Sequence, residues 1–242
     1  MIVEEYGAKN EKIVVMLHAA NYVSTFEAQY ELANDYHIVV PHLMGFGDNT
    51  EKSFQTDECI KQLADYIAGF GKKVYLVGFS LGAQLGFKLI SEHQELFRAA
   101  ILISPWLIKE EPFQSEIEAA NIKQLKRLKN KLICNFIATM NGMHTEQRKI
   151  FVSQMQNVTE STMHNIVYNG ITLESVPSFK DVLFPVAVLA GSKEYKEVQD
   201  SVIRMSELNV NCRYKIFDRA GHNIPIAFSK RLNAMIRRMC KL

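Results

Sequence analysis

The 242-residue chain predicts an α/β fold in which a mainly parallel, doubly wound sheet carries one inserted helical lid. Three observations lead there. Short runs of β-branched and apolar residues recur along the chain, stretches of helical periodicity separate most of them, and the alternation breaks once, between Trp106 and Pro185. Strands joined through helices pair in parallel and are covered on both faces.

Residues 13–17, 38–40, 74–77, 99–103, 186–189 and 213–217 read as buried strands, being short runs with β-branched or apolar residues. Between them, 25–34, 56–70, 83–93 and 197–208 place apolar residues three or four apart, as helices do, and 224–240 reads as a closing helix. Inside the break lie four amphipathic stretches, 115–130, 132–141, 145–156 and 160–168. They predict a helical cap over 106–184, set on a core formed by 1–105 and 185–242. The chain shows no internal repeat and no low-complexity linker.

Hydrophobic residues make up 48% and charged residues 22%, a balance that excludes a disordered chain. A net charge of +2 lacks the clustered basic excess of a nucleic-acid-binding surface, so no nucleic acid partner is expected. The most basic stretch, KQLKRLKNK at 123–131, has the charge to attract an acidic partner or a membrane surface. Ile122, Leu125, Leu128 and Leu132 recur opposite those charges, which favours one solvated helix face.

Cys59, Cys134, Cys212 and Cys240 are scattered without a C-x-x-C pair, as in a reducing compartment. Glu4 and Glu5 stand where a signal peptide needs basic residues, and no apolar run is long enough to cross a bilayer. A cytoplasmic protein with no stable membrane insertion is the expectation.

In a parallel sheet, functional residues gather in the loops after the carboxyl ends of strands. Gly78-Phe79-Ser80-Leu81-Gly82 occupies such a loop and has the form G-x-S-x-G between a strand and a helix. A turn this tight strains the serine backbone and leaves no room for bulky side chains two residues away, hence glycine at both places. The hydroxyl of Ser80 is then a candidate nucleophile at the amino end of a helix, where developing negative charge is favoured.

A serine needs a base, and His222 in Arg219-Ala220-Gly221-His222-Asn223 lies just past the last strand. Gly221 is expected to let its ring approach another loop. The other six histidines, His18, His37, His42, His93, His144 and His164, show no paired metal-ligand spacing. The base in turn needs an acid. Glu194 is the first choice, in Ala190-Gly191-Ser192-Lys193-Glu194 after a strand, with Glu197 and Asp200 as alternatives and Asp218 as a loop cap. For an oxyanion hole, the N–H of Leu81 is one donor, and Leu17-His18-Ala19-Ala20-Asn21 offers the N–H of Ala20, or of Ala19, as the second.

The order nucleophile, acid, histidine resembles the α/β-hydrolase superfamily, and the likeness covers nearly the whole chain. LHAAN is similar to its oxyanion loop, PHLMGFG to its D-x-x-G-x-G loop, GFSLG to the nucleophile elbow, AGSKE to the acid loop and AGHNIP to the histidine loop. The resemblance implies a Ser80, Glu194, His222 triad under a helical cap. Ala19 stands where the family usually has glycine, His42 replaces its aspartate, and Glu194 replaces the commoner aspartate.

The expectation for activity is a cofactor-independent serine hydrolase acting on a small-molecule ester or thioester of a small to medium apolar acyl group. The same triad also suits a carbon–carbon hydrolase or an acyltransferase, and the fold alone suits a non-catalytic small-molecule receptor. A nucleotide-binding domain is disfavoured, because HAAN replaces a glycine-rich phosphate loop after the first strand. Met140, Met143, Met155, Met163, Phe136, Phe151 and Tyr168 hint at an apolar pocket under the cap, or else at the cap's own core.

Overall fold

The computed structural model describes residues 1–140, 143 and 145–242. Among the described residues the sheet has seven strands: β1 (Val3–Tyr6), β2 (Ile13–Leu17), β3 (His37–Pro41), β4 (Val74–Phe79), β5 (Phe97–Ile103), β6 (Val186–Gly191) and β7 (Cys212–Phe217). Their order across the sheet is β1-β3-β2-β4-β5-β6-β7. Every neighbouring pair is parallel except β1 with β3.

Strand β1 departs from the expectation, which begins the sheet at Ile13. Its sequence, VEEY, carries two acids that argue against a strand. Both are met by histidines: Glu5 lies 2.6 Å from His37 Nε2, and Glu4 lies 3.1 Å from His42 Nε2. As an antiparallel edge strand it keeps one side open to water, where charge is tolerated.

The helices are α1 (Thr56–Ala68), α2 (Leu81–Glu92), α3 (Phe113–Leu128), α4 (Lys131–Met140), α5 (Thr145–Asn157), α6 (Glu160–Val167), α7 (Lys196–Leu208), α8 (Ile224–Ala227) and α9 (Ser229–Met239). Two expectations change. Val23–Asn34 forms an irregular 3-10 segment in which Ser24 and Phe26 leave helical dihedrals. The closing helix is split in two at Phe228, whose φ of −123° is not helical. Asn141, at the end of one expected helix, and His144 lie outside the described residues.

Alternation along the strands divides the core. Val15, Leu17, Leu76 and Leu102 point to one face with residues of α1, α2 and α7, while Val14, Met16, Val77 and Ile101 point to the other with α9 and the 23–34 segment. Burying a side chain such as Leu76 or Leu102 stabilises the fold by roughly 2 kcal/mol. Helix α2 is buried on nearly all sides, and it rides close to the sheet at Gly86, where a Cβ would meet Leu102 Cδ2 at 2.7 Å. That closeness fixes where the helix begins, directly over the end of β4.

Helices α3 to α6 lie between β5 and β6 in the chain, α3 packing on α6 and α4 on α5. Their apolar residues divide in an unexpected way. Phe151, Met155 and Met163 are buried, but Phe136 and Met140 are 64% and 73% exposed. Leu132 does not continue the buried row of Leu125 and Leu128, because α3 ends first; it lies in the first turn of α4 and is 83% exposed.

Candidate active site

Ser80 sits between the end of β4 and the first residue of α2 with φ 54° and ψ −115°, a left-handed conformation that costs a non-glycine residue on the order of 1–3 kcal/mol. The surroundings hold it there. Its N–H donates to the Ile103 carbonyl at 2.8 Å, and its own carbonyl accepts from the N–H groups of Ala83 and Gln84, each at 3.0 Å. A Cβ on Gly78 would lie 2.4 Å from the Gly82 carbonyl oxygen, and one on Gly82 would lie 2.0 Å from the Leu17 carbonyl oxygen. Both glycines are therefore demanded by contact between backbones.

The Gly82 contact also brings the start of α2 against the loop after β2. As the first residue of α2, Leu81 has an N–H with no acceptor inside its helix. The neighbouring loop turns at Asn21, whose φ is 65°, and a bridge between Ala19 and Tyr22 closes it around Ala20. His18, fully buried beneath, accepts the Leu43 N–H on Nε2 at 3.0 Å. Its proton is thereby assigned to Nδ1, which donates to the Ala19 carbonyl at 2.7 Å. Burial lowers the His18 pKa to about 4, so the ring that steadies this loop is neutral.

Glu194 and His222 are in direct contact, His222 Nδ1 lying 2.6 Å from Glu194 Oε1. The second carboxylate oxygen accepts from Ser104 Oγ at 2.8 Å and from the Gly191 N–H at 2.6 Å. The Glu194 side chain is 2% exposed and that of His222 is 52% exposed. With the carboxylate as acceptor, Nδ1 carries the proton and Nε2 presents its lone pair. The imidazole rests on the ring of Phe79, the residue before Ser80 in the elbow, with centroids 4.8 Å apart at 39°. Among the described residues the Ser80 hydroxyl makes no hydrogen bond; such contacts are often long in unliganded sites and close on substrate.

The alternatives to Glu194 are placed elsewhere. Glu197 lies in the first turn of α7, Asp200 pairs with Lys196 at 2.8 Å, and Asp218 pairs with Arg219 in solvent. Gly221 does not have the expected role, for a Cβ there would meet nothing within 4 Å. The close approach falls instead on Gly191, where a Cβ would lie 2.4 Å from the Ala220 carbonyl oxygen. His42 is structural, accepting the Asp48 N–H at 3.1 Å and facing Glu4.

Ser104 is a site residue that no sequence motif marks. It sits just past β5 with φ 54°, anchored by its N–H to the Leu189 carbonyl at 2.7 Å. Its one signal is its position, a hydroxyl at the carboxyl end of a central strand. Among the clefts on the described surface are one of about 690 Å³ along α3 and α4 and one of about 600 Å³ beside the start of α1. Neither of these two is lined by Ser80, Glu194 or His222, and the candidate site is defined by its side-chain chemistry.

A model of the alpha/beta hydrolase fold matches residues 12–227. Among solved structures, the esterase from Thermogutta terrifontis with malate bound is 18% identical, with 99% of this chain and 92% of that one covered and a TM-score of 0.75. MenH from S. aureus is 22% identical over 99% and 97% of the two chains, with a TM-score of 0.75. E-2-(Acetamidomethylene)succinate hydrolase is 16% identical over 99% and 94%, with a TM-score of 0.80. No relative was found by sequence among curated proteins. A match over most of the length, on a sheet of this order and direction, places the chain in the α/β-hydrolase fold family.

Proposed function

We propose that this hydrolase-fold chain is a serine hydrolase, needing no cofactor, that cleaves an ester or thioester of a small to medium apolar acyl group. The observation that carries the reading is the 2.6 Å contact between His222 Nδ1 and a buried Glu194, with the imidazole resting on Phe79, the residue before a serine held at φ 54°. Glu194 orients the imidazole and stabilises its charged form. Nε2 takes the proton from Ser80 Oγ as that oxygen bonds to the substrate carbonyl carbon. The N–H groups of Leu81 and Ala20 hold the resulting oxyanion.

Collapse of the tetrahedral adduct breaks the bond to the alcohol or thiol, which leaves with the proton from Nε2. Water, deprotonated by the same nitrogen, then releases the acid and restores the Ser80 hydroxyl. The helices of 106–184 act as the cap over the core of 1–105 and 185–242. Their approach to the oxyanion loop supports that role: Phe151 of α5 packs edge-on against Tyr22 at 5.8 Å, and Met163 Sδ lies 4.0 Å from Asn21 Nδ2.

Turnover of p-nitrophenyl esters from acetate to octanoate, by the protein and by Ser80→Ala, tests the reading. Turnover should peak at short to medium chains and fall by several orders of magnitude in the variant. Full turnover by Ser80→Ala would end it, and saturable binding of such compounds without any turnover would favour a receptor.

A further inference from the structure

Helix α4 is built inside out. At 100° per residue, Leu132, Phe136, Met140 and Ile133 fall within about 100° of arc on one side, and the buried Cys134 and Ala138 fall on the opposite side. The small residues therefore face the protein and the large apolar ones face out, with exposures of 83%, 64%, 73% and 42% for Leu132, Phe136, Met140 and Ile133. An ordinary amphipathic helix has the reverse arrangement. Burying Phe136 and Leu132 in the core would have stabilised the fold, so their exposure calls for something outside it.

Charge says what. From Ala119 to Thr145 the sequence has five lysine or arginine residues and no acidic one. Lys123, Lys126 and Arg127 of α3 line a groove that Ile133 of α4 shares, so cations flank the apolar row directly. Lys131 is exposed at the start of α4. Among the described residues, Lys126 has an acidic neighbour in Glu160 at 3.4 Å, while Lys129 is turned inward onto the Met155 and Gln156 carbonyls.

We infer that α4 and the basic edge of α3 form a docking surface for an anionic lipid bilayer. The helix, about 15 Å long, lies in the plane of the interface with Leu132, Phe136 and Met140 in the acyl boundary. Lys123, Lys126, Arg127 and Lys131 reach the lipid phosphates. No element of the chain is required to span the membrane, and among the described residues no helix is long and apolar enough to do so. A second copy fits the surface poorly, because a twofold contact through this face sets the two basic edges against each other.

Co-sedimentation with vesicles of phosphatidylcholine containing phosphatidylserine, compared with phosphatidylcholine alone, tests the surface. The protein should bind the anionic vesicles, and binding should weaken in high salt. Each charge removed in Lys123→Ala, Lys126→Ala and Arg127→Ala should lower the partition coefficient about fivefold. Leu132→Ser combined with Phe136→Ser should abolish binding with the thermal unfolding transition retained, since both side chains are exposed. Equal binding of these variants, or no binding of the unaltered protein, would overturn the inference. So would a concentration-dependent dimer in sedimentation velocity that the Leu132→Ser, Phe136→Ser protein loses, which would assign the face to a second copy.

Discussion

His222 and Glu194, 28 residues apart in the chain, meet at 2.6 Å between imidazole Nδ1 and carboxylate Oε1. The carboxylate is shut away from water and its other oxygen is held by Ser104 and the Gly191 N–H. A group so restrained can favour one tautomer of the ring and one orientation.

Glu194→Gln keeps the size of the side chain but can present an amide N–H to Nδ1, which favours the tautomer with its lone pair on the wrong nitrogen. The proposed mechanism then expects kcat to fall by about 10³- to 10⁴-fold with circular dichroism unchanged. Ester turnover within tenfold of the unaltered protein would show that Glu194 is not the orienting acid.

In the proposed mechanism Ser104 acts through Glu194, to which its hydroxyl donates at 2.8 Å. Removing its hydroxyl in Ser104→Ala takes one charge-assisted hydrogen bond from the carboxylate. We expect kcat to drop about tenfold with KM little changed. Stopped-assay kinetics separate the two constants, and a change confined to KM would contradict a positioning role.

Gly82 tests the elbow itself. In Gly82→Ala a Cβ would stand 2.0 Å from the Leu17 carbonyl oxygen, with the His18 carbonyl oxygen at 2.7 Å, and both are backbone atoms that cannot swing aside. A loss of at least about 3 kcal/mol in urea unfolding is expected. A stable, active variant would mean that the approach of α2 to the β2 loop is looser than described.

Buried His18 makes stability depend on pH. Its pKa is lowered by burial from 6.5 to about 4, so between these values the unfolded chain binds a proton that the folded one refuses. This contribution is complete above pH 6.5 and is lost as pH falls toward 4, on the order of 3 kcal/mol in all. Urea midpoints at pH 7 and pH 4.5 measure it, with His18→Asn, which lacks the ionisable ring, expected to fall less. Parallel declines in the two proteins would rule His18 out as the source.

How far the sequence carries depends on whether a role is local. The elbow is legible because the glycines at 78 and 82 answer a steric demand within five residues. Strand β2 is legible because burial on both faces makes it apolar throughout, whereas β7, expected as a buried strand, is an edge strand whose Arg213, Tyr214 and Lys215 are exposed. Strand β1 is hidden because its two acids are satisfied by His37 and His42, more than 30 residues away. Ser104 is hidden because its partner lies 90 residues on. The direction of α4 is hidden for a different reason: periodicity shows that a helix has an apolar side, and nothing in it says whether that side faces in.

Everything proposed for catalysis depends on one hydroxyl, that of Ser80, being made reactive by the imidazole of His222. Incubation with a fluorophosphonate, followed by peptide mass spectrometry, reads this directly. A single adduct on Ser80 is expected, formed quickly by the unaltered protein and slowed by orders of magnitude in His222→Ala. An adduct on another residue, or labelling of Ser80 at an equal rate without His222, would contradict it.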